Sequence, residues 1–171
     1  MKDPELKNFA AAGLKFPLFP ARDGYFTSSD CRTYYAVFGA GTPVVLLHGG
    51  MGNATNWAKQ IEILVHSGYQ AIVMDTRAHG HSSSGSQPLS YKLFAQDVCT
   101  LIEFLKLNQT ILVGWSDGAC TALAVAQNNP QLLQGVVFFA CNVDSTGLAE
   151  FRMTQRIENC LISHERDFIN M

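Results

Sequence analysis

One short motif has the residue types and spacing of a nucleophilic serine at a tight turn. The sequence Gly-Trp-Ser-Asp-Gly at 114–118 follows an apolar run at 110–113 and precedes an alanine-rich stretch at 120–128. A serine between glycines at a strand-to-helix turn holds its hydroxyl at the positive end of the helix dipole, which favours the negative charge that develops in acyl transfer. We therefore predict Ser116 as a nucleophile; the alternative is an ordinary turn with a capping serine.

A second glycine-rich segment, His-Gly-Gly-Met-Gly at 48–52, follows the first apolar run of the chain. The tetrahedral intermediate of acyl transfer carries an oxyanion, which needs two N–H donors already aimed at it. We expect the backbone N–H groups of Gly50 and Asp117 to be these donors, with Met51 as the substitute for Gly50. His48 is expected to brace this loop instead of acting as a base. The plainer alternative is a glycine-rich turn that leads into a helix.

A third segment, Asp-Thr-Arg-Ala-His-Gly-His-Ser at 75–82, follows the second apolar run and is expected to shape the loops beside the site. His79 and His81 suggest a metal site, but no carboxylate or cysteine completes a ligand set at metal-binding spacing. We therefore expect neither a metal nor a cofactor.

Hydrophobic patterning places these three segments at the ends of strands. Two strands around a turn at 28–31 indicate an antiparallel edge pair. Apolar runs then predict strands at 44–47, 71–74, 110–113 and 135–140, and helical periodicity predicts helices at 56–67, 90–107 and 120–128. Strands that alternate with helices in this way predict a mostly parallel sheet with helices on both faces, which is an α/β fold.

Composition sets limits on the class of protein. The chain has 171 residues, of which 47% are hydrophobic and 15% charged, with a net charge of -2. These values indicate one globular domain and give no attraction to nucleic acid or to an anionic membrane. We expect a cytoplasmic protein, because the N-terminus lacks the pattern of a secretory signal and no apolar run could cross a bilayer. The five cysteines are odd in number and lack C-x-x-C spacing, so we expect buried free thiols.

Taken together in this order, the three motifs resemble those of the α/β-hydrolase superfamily over residues 25–142. The Gly-Trp-Ser-Asp-Gly motif and Phe-Phe-Ala-Cys-Asn at 138–142 are similar to the branch that includes valacyclovirase, the biphenyl hydrolase-like protein. The resemblance implies the α/β-hydrolase fold and a small-molecule acyl substrate. It also implies that the Asp117 carboxylate receives the ammonium group of an aminoacyl substrate; the alternative is that Asp117 caps the following helix.

The sequence departs from the family pattern after the nucleophile. The family continues with a catalytic acid and then a histidine. After Ser116 the only histidine is His164, in a stretch at 148–171 that we expect to be helical, and we do not assign it as the base. Asp144 is the candidate acid. We therefore expect a fold that is incomplete at its C-terminal end, with a lead-in at 1–22, a partial hydrolase core at 23–142 and the start of a helical cap at 143–171.

The leading hypothesis is a serine hydrolase of ester or related acyl bonds that is weak or inactive as this chain. Without a histidine the serine stays protonated and is a poor nucleophile. The alternatives are a non-catalytic remnant that serves as a binding module, and one half of a two-chain hydrolase whose partner chain supplies further strands.

Overall fold

A six-stranded sheet forms the centre of the computed structural model, which describes residues 15–141. Its order is β1-β2-β4-β3-β5-β6. β1 pairs antiparallel with β2, and β2 with β4, whereas β4, β3, β5 and β6 are mutually parallel. The predicted α/β-hydrolase architecture, with an antiparallel edge pair and a parallel remainder, is therefore confirmed. The strands are β1 (Arg22–Ser28), β2 (Cys31–Phe38), β3 (Thr42–Leu47), β4 (Tyr69–Met74), β5 (Thr110–Trp115) and β6 (Leu133–Phe139).

Three α-helices connect the parallel strands: α1 (Ala58–His66), α2 (Tyr91–Phe104) and α3 (Asp117–Asn128). A 3₁₀ turn, Ala54–Trp57, leads into α1, so helical structure begins two residues earlier than the predicted 56–67. The reason is a capping box at its start. The Asn56 side chain accepts the Asn53 N–H, and the Asn53 side chain accepts the Thr55 N–H. α3 also begins three residues before the predicted stretch, because the turn at Ser116 leads straight into it.

Helices cover both faces of the sheet, as predicted. Successive side chains of a strand point to opposite faces. Accordingly Val45 and Leu47 pack in a core with α2 and α3, while Val44 and Leu46 pack in a second core with Trp57 and α1. The short apolar runs are thus buried on two sides, which is why they contain almost no polar residue.

β6 is the last strand of residues 15–141, and none of these residues pairs with its outer edge. Val137 is 54% exposed and Phe139 47% exposed. Within the same range, no helix has the length and apolarity needed to cross a bilayer.

Four cysteines lie in the described range, and all four are free thiols, as predicted. The prediction of burial is correct for Cys31 and Cys120, whereas Cys99 and Cys141 are only half-buried. Cys120 Sγ lies 3.1 Å from Cys141 Sγ, so the first turn of α3 contacts Cys141, which lies two residues after the end of β6.

Several predicted features lie outside the described residues. They are the fifth cysteine Cys160, the candidate acid Asp144, His164, the predicted cap at 143–171 and most of the lead-in at 1–22. The domain boundaries therefore stay predictions.

Candidate active site

The turn between β5 and α3 holds Ser116 in an unusual backbone conformation, with φ 54 and ψ -119. These angles lie outside the common regions for a residue with a side chain, so the backbone of this turn is strained. The surroundings hold the conformation in place. The Ser116 N–H donates to the Phe139 carbonyl at 3.1 Å, and the Ser116 carbonyl accepts from the N–H groups of Ala119 and Cys120.

The glycines on either side of Ser116 are required by close packing of backbone against backbone. A Cβ on Gly114 would collide with the backbone of Gly118, and a Cβ on Gly118 would collide with the carbonyl oxygens of Leu47 and His48. The first turn of α3 therefore lies directly against the end of β3. This contact brings the glycine-rich segment after β3 to the turn at Ser116.

Residues 48–52, here named the oxyanion loop, lie beside Ser116. A Cβ on Gly49 would stand 3.2 Å from Ser116 Cβ. The Gly50 N–H has no acceptor among residues 15–141, and the Asp117 N–H begins α3 and has no intrahelical acceptor. The Met51 N–H, in contrast, donates to His79 Nε2 at 3.2 Å. Of the two loop donors considered from sequence, Gly50 is the one left unpaired within this range.

His48 braces the oxyanion loop, as predicted. Its Nδ1 lies 2.7 Å from the Gly49 carbonyl oxygen, and its Nε2 accepts the Thr76 N–H at 3.0 Å. Burial lowers the pKa of His48 from the usual 6.5, which favours a neutral ring with its hydrogen on Nδ1. Nδ1 thus contacts the backbone of its own loop after β3, and Nε2 joins this loop to the one after β4.

The segment 75–82 after β4 is held by two buried charged groups. The Asp75 carboxylate accepts the N–H groups of Ala54 and His81, both at 2.7 Å. The Arg77 guanidinium is fully buried and donates to the two carboxylate oxygens of Asp97 at 2.6 and 2.7 Å. Hydrogen bonding to Asp97 raises the pKa of Arg77 further. The predicted role of this segment in shaping the loops agrees with these contacts.

The two histidines of this segment point to different partners. His79 Nδ1 lies 3.0 Å from the Arg77 carbonyl oxygen, and His81 Nδ1 lies 3.1 Å from an Asp75 carboxylate oxygen. Nowhere in the part of the chain that the structure describes do three histidine, cysteine or carboxylate side chains group as metal ligands would.

The Asp117 side chain is held beside the oxyanion loop. Tyr91 Oη donates to its Oδ1 at 2.7 Å, and a Cβ on Gly50 would collide with its Oδ2. Burial, together with this bond, raises the pKa of Tyr91 above its usual value. The sequence alone does not single out Tyr91, because nothing in the local pattern distinguishes it from any aromatic residue at the start of an amphipathic helix.

A small open cleft, with a cavity volume of about 10 Å³, lies against this carboxylate. Its walls come from the oxyanion loop, from the loop after β4 and from α2 and α3; they include His48, Gly50, His79, Phe94, Asp117 and Thr121. The site therefore combines a strained serine, two N–H donors without acceptors in the described range, and a carboxylate that faces a cleft.

No hydrogen bond joins Ser116 Oγ to a histidine among residues 15–141. His48, His79 and His81 are each engaged with other partners. The described residues thus bring together the predicted nucleophile and the predicted oxyanion donors, and none of the histidines among residues 15–141 is bonded to Ser116.

The sequence is similar to several characterised or named proteins. It is 42% identical to a putative non-heme chloroperoxidase of Synechocystis over 95 residues, which are 56% of this chain and 34% of that protein. It is 31% identical to the serine hydrolase BPHL of Homo sapiens over 116 residues, covering 65% of this chain and 40% of that protein. The chain thus spans about a third to two fifths of the length of these relatives.

A solved structure has the same fold. The esterase EaEST of Exiguobacterium antarcticum superposes with a TM-score of 0.67 at 28% identity, covering 70% of this chain and 45% of the esterase. The sequence profile of the alpha/beta hydrolase fold family matches residues 42–154, which is more than half of the chain. The strand order, the strained turn at Ser116 and these similarities agree with one another, and the chain belongs to the α/β-hydrolase fold family.

Proposed function

We propose that Ser116 attacks the carbonyl carbon of an ester or a related acyl substrate. The Gly50 and Asp117 N–H groups stabilise the resulting oxyanion. The observation that carries this proposal is the strained Ser116 backbone at the turn between β5 and α3, packed against the glycines of the oxyanion loop. Such strain costs about 1–3 kcal/mol and persists where the surrounding structure enforces it, commonly at active sites.

The geometry argues against the plainer alternative of a capping serine. A capping serine has extended backbone angles, and its side-chain oxygen accepts an N–H from the first turn of the helix. Ser116 has φ 54, and its side chain makes no capping bond. Its hydroxyl is therefore available for another role at the positive end of the α3 dipole.

The proposed activity is weak for the described part of the chain on its own. Proton transfer from serine to a base contributes a large part of the rate in serine hydrolases, and no described histidine is bonded to Ser116. A non-catalytic binding module, or one half of a two-chain hydrolase, would retain the same turn and the same loop. The names of the relatives, a putative chloroperoxidase, a serine hydrolase and an esterase, do not agree on one substrate, so they give no support for any particular acyl group.

For the substrate, we propose that the Asp117 carboxylate receives a cationic group such as the ammonium of an aminoacyl ester. Tyr91 holds one carboxylate oxygen, and the carboxylate forms part of the cleft wall. An ammonium group there would form a charge-assisted hydrogen bond with the carboxylate. The alternative role of Asp117, which is to cap α3, also has support. Asp117 lies in the first turn of α3, where the helix dipole stabilises a negative charge.

Hydrolysis of an activated aryl ester by the purified chain tests the proposed nucleophile. Ser116→Ala should lower the rate but keep the part that binding and the oxyanion donors supply without a triad, and an exposed-loop control, Ser84→Ala, should leave the rate unchanged. The total rate of the chain should stay within about 10³–10⁴-fold of the uncatalysed reaction, because no described histidine is bonded to Ser116. A far larger Ser116-dependent rate would show that a base lies within the chain. A rate equal in the chain and in Ser116→Ala would refute the proposal.

A further inference from the structure

We propose that His79 is a positioning residue for the oxyanion loop: its Nε2 accepts the Met51 N–H, and this bond holds the neighbouring Gly50 N–H in place. The Met51 nitrogen lies 3.2 Å from His79 Nε2. The catalytic consequence rests on the proposed function, whereas the bond itself can be tested without any catalysis.

The His79 ring is fixed from its other side. Its Nδ1 lies 3.0 Å from the Arg77 carbonyl oxygen. A carbonyl oxygen only accepts hydrogen bonds, so Nδ1 carries the hydrogen of the neutral ring and Nε2 presents a lone pair to Met51. The Arg77 backbone is itself anchored, because its side chain is buried and paired with Asp97 and Asp30. The loop after β4 thus offers a fixed acceptor to the oxyanion loop.

The oxyanion loop has few other contacts at Met51. The Met51 side chain is fully exposed and its backbone has φ 59, so packing does not hold this residue. The internal bond of the loop, from the Gly52 N–H to the Gly49 carbonyl, is 3.2 Å long. His48 secures the start of the loop and His79 secures its middle. Gly50 lies between these two attachments.

The bond to Met51 exists only while His79 is neutral. Protonation places a hydrogen on Nε2, which then cannot accept the Met51 N–H. The ring of His48 has its centroid 5.3 Å from that of His79 and a pKa lowered by burial, and the Asp117 carboxylate lines the same cleft as His79. The Arg77 guanidinium points to Asp97 and Asp30. Protonation of His79 would therefore remove the contact that holds the middle of the oxyanion loop.

Solution NMR of the ¹⁵N-labelled 171-residue chain tests the bond. In the unmodified chain we expect a neutral His79 ring with its hydrogen on Nδ1, and a Met51 amide proton whose chemical shift follows the titration of that ring with the same midpoint. His79→Gln, whose side-chain oxygen can accept a hydrogen bond, should keep the Met51 shift but remove its pH dependence. His79→Leu should lose the shift and speed amide exchange at Met51 about fivefold or more.

His81→Gln is the matched control, because His81 lies on the same loop but bonds Asp75. It should leave the Met51 titration unchanged. A Met51 amide that ignores the titration of His79, or that follows His81 instead, overturns the proposal. The titration of the unmodified chain decides this even if a variant fails to fold.

Ester hydrolysis then tests the consequence for the proposed activity. His79→Leu should lower the Ser116-dependent kcat about tenfold with little change in KM, because the oxyanion contact is made in the transition state. His79→Gln should restore most of the rate. An unchanged kcat in His79→Leu refutes the positioning role. If the chain shows no Ser116-dependent rate at all, the proposed function fails, and the Met51 titration alone decides the bond.

Discussion

Replacing Gly118 by alanine tests the contact that brings the oxyanion loop to Ser116. Gly118 is the second residue of α3, so helix propensity alone would stabilise the alanine variant by up to about 1 kcal/mol. The structure predicts the opposite sign, since the new Cβ would collide with the carbonyl oxygens of Leu47 and His48. Backbone carbonyls cannot rotate away as a side chain could. The cost therefore belongs near the top of the range of about 1–3 kcal/mol for overpacking.

The net expectation for Gly118→Ala is a loss of about 2 kcal/mol in the free energy of unfolding. With a urea dependence of about 2 kcal/mol per molar, typical of a small protein, the unfolding midpoint falls by about 1 M. The assay is urea unfolding followed by circular dichroism. Gly135→Ala is the matched control, because a Cβ at Gly135 meets no atom within 4 Å. That variant should be neutral or slightly stabilised. If the two variants unfold at the same urea concentration, the close approach of α3 to the end of β3 is refuted.

Three other perturbations have expected outcomes. Arg77→Leu leaves the buried Asp97 carboxylate unpaired and should lower the free energy of unfolding, measured in urea, by about 3–5 kcal/mol. The double variant Arg77→Leu with Asp97→Leu should recover much of this loss. An equal loss in the single and the double variant would contradict the ion-pair argument. Because burial lowers the pKa of His48, the unfolded chain binds the proton more tightly than the folded one, so the free energy of unfolding should decline as the pH falls below 6.5. His48→Gln should reduce this decline. An identical pH dependence of stability in both chains would refute the lowered pKa of His48. Asp117→Ala should slow Ser116-dependent hydrolysis of an aminoacyl ester by tens- to hundreds-fold more than that of its des-amino analogue, whereas equal effects on the two esters would mean that the carboxylate is structural.

The parts of the fold that the sequence predicts are those governed by local patterns. Val44 to Leu47 and Ala71 to Met74 are buried on both faces, so each forms a continuous apolar run that is recognisable without a partner. Ser116 is equally recognisable, because its glycine neighbours, the preceding apolar run and the following small residues all lie within twenty positions.

The contacts that complete the site depend on pairs of residues far apart in the chain. Tyr91 and Asp117 are separated by 26 positions, and Met51 and His79 by 28. They meet because β4 lies beside β3 in the sheet and α2 packs on α3, and hydrophobic periodicity does not specify which strands are neighbours. Asp97 is a further example, since an acidic residue in an amphipathic helix looks like a solvent-exposed one until Arg77 is placed against it.

The backbone angles at position 116 favour glycine over the serine that is present. Glycine adopts φ 54 with ψ -119 without the penalty that a Cβ incurs there, so Ser116→Gly would recover part of the roughly 1–3 kcal/mol stored in the turn. A descendant that no longer used the hydroxyl would gain stability from this one substitution. Among sequences that share this turn, glycine at the position of Ser116 would therefore mark the loss of the chemistry while the sheet and the oxyanion loop are still intact.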